Sequence, residues 1–131
     1  MTARKQIRDA VKAVIQTYDS NLTVRSGRVL AFQISELPGI SVYFDTGNSE
    51  VVNMRGDSIA TAVMRVDITD SNSGGDDALD TIGDAIVDAV LADSTLRNLC
   101  KKVRQSGFDY ARDEQSPYVT LSLLFEVIYL T

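Results

Sequence analysis

The chain contains no histidine, and this one absence removes more chemistry than any residue present suggests. Serine–histidine–aspartate and cysteine–histidine nucleophiles go with it, as do histidine-bound metal sites. Its single cysteine, Cys100, permits neither an internal disulfide nor a thiolate zinc site, and its place in a helical pattern reads as a small apolar filler. No apolar run approaches the roughly 18 residues that a membrane-spanning helix needs, and the N-terminal residues lack the apolar stretch of a signal peptide. A chain that stays in the cytoplasm, without membrane contact, is expected, and the sequon Asn21-Leu22-Thr23 then meets no glycosylation machinery. Positive charge is also short: 13 Lys and Arg against 18 Asp and Glu leave a net charge of −5. That balance argues against direct nucleic-acid binding, which needs clustered cations to displace counterions from phosphate. The basic residues Arg4, Lys5, Arg8 and Lys12, interrupted by Asp9, read as the solvated face of a helix.

What is present is an ordinary globular composition, 131 residues with 44% hydrophobic and 24% charged side chains, enough for one domain with a sizeable core. Only carboxylate chemistry stays open. The densest acidic group, Asp70, Asp76, Asp77 and Asp80, surrounds Gly74-Gly75 at a predicted helix start. Aspartates there cap a helix and suit its dipole, with weak divalent-cation binding as the alternative; the spacing is not that of an EF-hand loop. No Lys-Ser or Lys-Thr follows the two glycines, so they do not form a phosphate loop. Arg55-Gly56-Asp57 reads as a turn. No cofactor is expected.

Periodicity places the elements. Ile7, Ala10, Val11, Val14, Ile15 and Tyr18 recur at helical spacing between Thr2 and Tyr18, and Asp19-Ser20-Asn21 should end that helix. Strands are predicted over 28–32 and 40–45, the second after the breaker Pro38-Gly39. Residues 46–57 have turn chemistry at both ends and form either a long loop or an irregular hairpin tip. The apolar Val51, Val52 and Met54 in it, with Arg55, either fold back over the sheet edge or make a contact surface. Alternation over 58–70 buries Ala62, Met64, Val66 and Ile68 and leaves Thr61, Arg65, Asp67 and Thr69 on a wet face. A helix from about 77 to 91 follows, with Leu79, Ile82, Ile86, Ala89 and Val90 inward. Asp93-Ser94 then caps a shorter helix bearing Leu96, Leu99, Cys100 and Val103, ending in Lys101, Lys102 and Arg104 with Gly107 just past it. A short strand over 108–112 and a long one over 118–130 complete the chain, the latter with Val119, Leu121, Leu123, Phe125, Val127 and Tyr129 on one face. The fold class is therefore α+β: a mainly antiparallel or mixed β-sheet with helices packed on one side, in a single domain.

Several stretches carry a likeness to a known family. The C-terminal segment SGFDYARDEQSPYVTLSLLFEVIYLT, from Ser106 to Thr131, resembles the end of the tail terminator proteins of lambda-like long-tailed phages, the minor tail protein U family. IRDAV near the N-terminus, Gly27-Arg28, and LPGISVYF from Leu37 to Phe44 match in the family's order, and Gly107-Phe108-Asp109-Tyr110 with Arg112-Asp113 is the most distinctive part. The family has no compact catalytic signature. The resemblance implies a structural, non-enzymatic subunit of a hexameric ring that docks on the last ring of the tail tube, stops its polymerisation and offers a surface to the head. Its partners would be further copies of itself, the tail tube protein and a head-completion or connector protein. Its place would be the virion tail, after assembly in the host cytoplasm.

On that resemblance, Arg28, Asp109, Arg112, Asp113 and Glu114 are expected near a subunit interface or in a local network holding the C-terminal turn. Val51, Val52, Met54 and Arg55 are the candidate contact with the tube. Two other readings stay open: a different head–tail junction or tail-completion protein, and a small carboxylate-dependent, metal-binding enzyme resting on the acidic loop.

Overall fold

Apolar residues at every second position of two long strands build the middle of the molecule. The computed structural model describes residues 3–27, 32–51, 54–56, 58–71, 75–112 and 118–130. Strands β3 (Ser58–Ser71) and β5 (Tyr118–Leu130) lie side by side and antiparallel, with Met64 opposite Phe125, Val66 opposite Leu123 and Ile68 opposite Leu121. All six are buried, as are Val119, Val127 and Tyr129. Around this pair the sheet completes itself as β1-β2-β3-β5-β4, with β1 (Thr23–Ser26) parallel to β2 (Gly39–Val51) and every other pairing antiparallel, β4 (Lys102–Arg112) included.

The helices cover one face. α1 (Ala3–Tyr18) buries Ile7, Ala10, Val11 and Ile15, and α2 (Gly75–Ala92) buries Leu79, Ile86 and Val90 in the same cluster as the inward residues of the sheet. Gly83 lets α2 sit close, because a Cβ there would lie 2.9 Å from a methyl of Leu121. The short α3 (Ser94–Leu99) starts where Asp93 accepts the Leu96 N–H at 2.9 Å, a side-chain cap as its residue type predicts.

Four expectations need correction. The first strand falls at Thr23–Ser26 rather than over 28–32; residues 28–31 lie outside the described residues and Phe32 is not in a strand. Thr23 and Val24 pair with Gly39 and Ile40, and this contact between distant segments fixes a strand too short to show alternation. Tyr18, placed on the buried stripe of α1, is 45% exposed because the helix ends there, beyond the edge of the core. β2 does not stop at 45 but runs to Val51: Asp45 bulges out, and Thr46–Val51 pair with Val63–Ser58. Gly47 suits this close approach, since a Cβ would lie 3.0 Å from that of Ala62 and 3.2 Å from the Thr61 carbonyl.

The fourth correction is the largest. The second helix of the pair ends at Leu99, and Lys102–Arg112 form a strand in which Gly107 follows a bulge rather than capping a helix. Basic residues after a helix satisfy its dipole locally, but here a long-range partner decides. Arg104 donates two hydrogen bonds to the carboxylate of Glu126 on β5, at 3.0 and 3.2 Å, while Val103 faces Val127.

The face away from the helices carries a set of polar pairs. Tyr43 donates to Asp67 at 2.6 Å, Arg65 donates to Asp45 at 2.9 Å, and the hydroxyls of Thr69 and Thr120 are 3.1 Å apart. The Arg104 guanidinium holds the Glu126 carboxyl below the ordinary glutamate value of 4.5. The backbone N–H of Gln33, then Arg25, does the same for Glu36. Both folded values are depressed, so their stabilisation is present above about pH 4.5, the unfolded value, and is lost as pH falls through the folded values. Both pairs are exposed enough for solvent to screen them, and the effect is modest. The melting temperature should hold level from neutral pH down to about 5 and fall below it, with a shallower fall in Glu126→Gln. Equal acid slopes for the two proteins in a thermal-denaturation series would contradict this assignment.

Candidate functional site

In the distal half of the β2–β3 hairpin the β2 arm lies uncovered. From Asp45 to Val51 every residue of β2 is exposed, because β1 pairs only with Gly39–Val42 and nothing flanks the strand beyond that point among the described residues. Pairing closes at Val51 opposite Ser58, and the turn between them holds Gly56 at a φ of 85°, the left-handed region that glycine adopts without strain. Of the four expected contact residues, Val51 is 66% exposed, Met54 is fully exposed and Arg55 is exposed beside it; Val52 lies outside the described residues. The alternative in which Val51 and Met54 fold back over the sheet is therefore not what the chain adopts. Two apolar side chains in water at a hairpin tip add nothing to the core.

At the base of this hairpin, on the helix side, is a groove of about 430 Å³. Its floor is made of Ala60, Ala62 and the rings of Phe44 and Tyr129, which lie 6.2 Å apart, and Arg4 of α1 reaches its wall. Small residues on the floor and backbone of β2 along one side leave an open trough rather than a catalytic cleft.

The expected polar group is placed only in part. Asp109 is exposed on β4 opposite Ser122, and Arg112 is the last residue of β4, opposite Val119. Arg28, Asp113, Glu114 and the side chain of Arg112 lie outside the described residues. In the acidic loop, Asp76 and Asp77 occupy the first turn of α2, and Asp80 accepts a hydrogen bond from the Tyr110 hydroxyl. Asp70 turns back to the Ser71 N–H at 2.8 Å. Among the described residues no three Asp, Glu or Cys side chains are gathered to hold a metal ion. Cys100 is buried, and desolvation pushes its thiol up to about 11, far from a reactive thiolate.

Sequence reasoning missed two features. The open edge of β2 depends on the shortness of β1, and the basic start of β4 was assigned to a helix; the alternation Lys102, Val103, Arg104 was the one available signal for a strand.

A family model described as phage minor tail protein U matches residues 2–129, nearly the whole chain. The chain belongs to that family. Its members are phage tail components, so the exposed hairpin and open strand edges belong to a structural protein of the tail. A chain in the solved structure of the virion of a native gene transfer agent particle is similar at a TM-score of 0.47 and 12% identity, over 98% of this chain and 94% of that one. No curated protein matches. Among the described residues, no helix is long and apolar enough to cross a membrane.

Proposed function

We propose that this chain is a tail terminator. Copies close head to tail into a hexameric ring, the ring seats on the last ring of the tail tube and ends its polymerisation, and the opposite side of the ring receives the head. The partners are other copies, the tube protein and a head-completion or connector protein. The work is done by surface complementarity without a reaction, a cofactor or direct contact with DNA. Assembly takes place in the host cytoplasm.

The observation that carries this reading is the distal hairpin, which holds Val51 at its end and Met54 in its turn away from the core. Exposed apolar residues at a hairpin tip suit a contact that forms late in assembly. Two unlike surfaces per subunit give a heterologous contact, which makes a ring when the rotation closes and a filament when it does not.

Negative-stain imaging of purified protein with growing tail tubes tests the reading. Single annuli on one tube end and tubes that stop lengthening are expected. Long homopolymers would mark a tube protein instead, and tubes that keep growing past bound protein would exclude termination.

A further inference from the structure

Among the described residues, two stretches of the sheet have no strand beside them. One is the outer edge of β2 from Phe44 to Val51, past the end of β1; the other is the outer edge of β4, the last strand on the far side. Unpaired N–H and C=O groups along such edges are templates for another strand.

The register carried across the sheet sets these edges at one height. Asn48 is opposite Thr61, Thr61 opposite Ile128, and Ile128 opposite Lys102. By the same path Thr46 reaches Arg104 through Val63 and Glu126, and Gly47 reaches Val103 through Ala62 and Val127. Three successive antiparallel steps also leave β2 and β4 running in opposite directions. A second copy placed beside the first at unchanged height thus presents β4 antiparallel to the open half of β2.

Charge and shape agree with that pairing. Lys101, Lys102 and Arg104 stand at the start of β4, and Asp45 and Glu50 on the matching part of β2, all exposed. Lys102 would face Asn48 with Glu50 on the diagonal, and Arg104 would face Thr46 next to Asp45, both within reach of long side chains. The β4 bulge at Ser106, between Gln105 and Gly107, falls level with Phe44 and Tyr43. That is just above Val42, where β1 takes over the β2 edge and an incoming strand must bend away.

We infer that β4 of one copy adds as a strand to the distal half of β2 in the next, so that one sheet runs on through neighbouring subunits. This rests on the ring reading and names its contact: a second copy, held by main-chain hydrogen bonds along Lys102–Gln105 and by basic-to-acidic pairing.

The test uses the full chain with Asn48→Cys and Lys102→Cys together. Cross-strand partners lie about 4.5–5.5 Å apart, within disulfide reach. Mild oxidation should give a covalent ladder from the double variant and none from either single variant, and Cys100 stays buried. In parallel, Lys102→Glu and Glu50→Lys should each lower the ring population in native mass spectrometry several-fold, and the two together should restore it. Rings without a ladder and without charge sensitivity would overturn this pairing and leave the ring standing. Wild-type protein that forms no rings, alone or on tube ends, would overturn the ring and this contact with it.

Discussion

Phe125→Asp is expected to abolish the cooperative thermal transition of this protein. Phe125 is completely buried on β5, a central strand, between Met64 of β3 and Gln105 of β4, and it points toward the helix layer. Removing a phenyl ring from such a site costs about 3–5 kcal/mol through lost burial and the cavity left behind. The carboxylate adds a desolvation penalty of several kcal/mol or must take up a proton to enter the core. A domain of this size has a total stability of roughly 5–15 kcal/mol, so the two losses together consume most or all of it. Phe125→Leu, which keeps an apolar side chain of lower volume, should retain a sharp transition at a lower temperature. Circular dichroism on both variants checks the assignment; an aspartate variant that melts like the wild type would mean that this face of β5 is not the core face.

That residue was legible in the sequence because every second residue of β5 from Val119 to Tyr129 is apolar, and β3 from Ala60 to Ile68 and the helical stripe of α2 are equally regular. Each carries its own burial pattern, so no knowledge of neighbours is needed to assign its face. The start of β4 and the end of β2 are different. Thr46-Gly47-Asn48 has turn chemistry, and Lys101-Lys102 suits a helix end; only Val63–Ser58 across from the one and Glu126 across from the other make them strands. Long-range pairing overrides local preference at these places, and the two bulges, at Asp45 and Ser106, lie where the strands change face. The candidate site divides in the same way. Val51 and Met54 stood out because they lacked a core periodicity between two turn signals, whereas the edge of β2 that is open among the described residues depends on where β1, four residues long, pairs with it.

Val51→Asp with Met54→Asp should leave the fold and its melting temperature almost unchanged and abolish attachment to tail tubes. Neither side chain packs against the core among the described residues, so their replacement falls in the class of surface changes worth about 0.5 kcal/mol or less. Against a tube surface the balance reverses. Full burial of a valine or a methionine is worth about 1.5–3 kcal/mol each, so two carboxylates in their place forfeit roughly 3–6 kcal/mol per subunit before any charge repulsion. A loss of about 3 kcal/mol is already more than a hundredfold in affinity. Because every subunit of a ring presents the same tip, the deficit multiplies through avidity. Co-sedimentation with purified tubes measures it directly, with native mass spectrometry reporting whether rings persist. Rings that persist but no longer sediment with tubes place the tube contact at the hairpin tip. Undiminished capping by this variant would move that contact to another face of the subunit, since no well-packed interface keeps its affinity after acquiring two buried negative charges per copy.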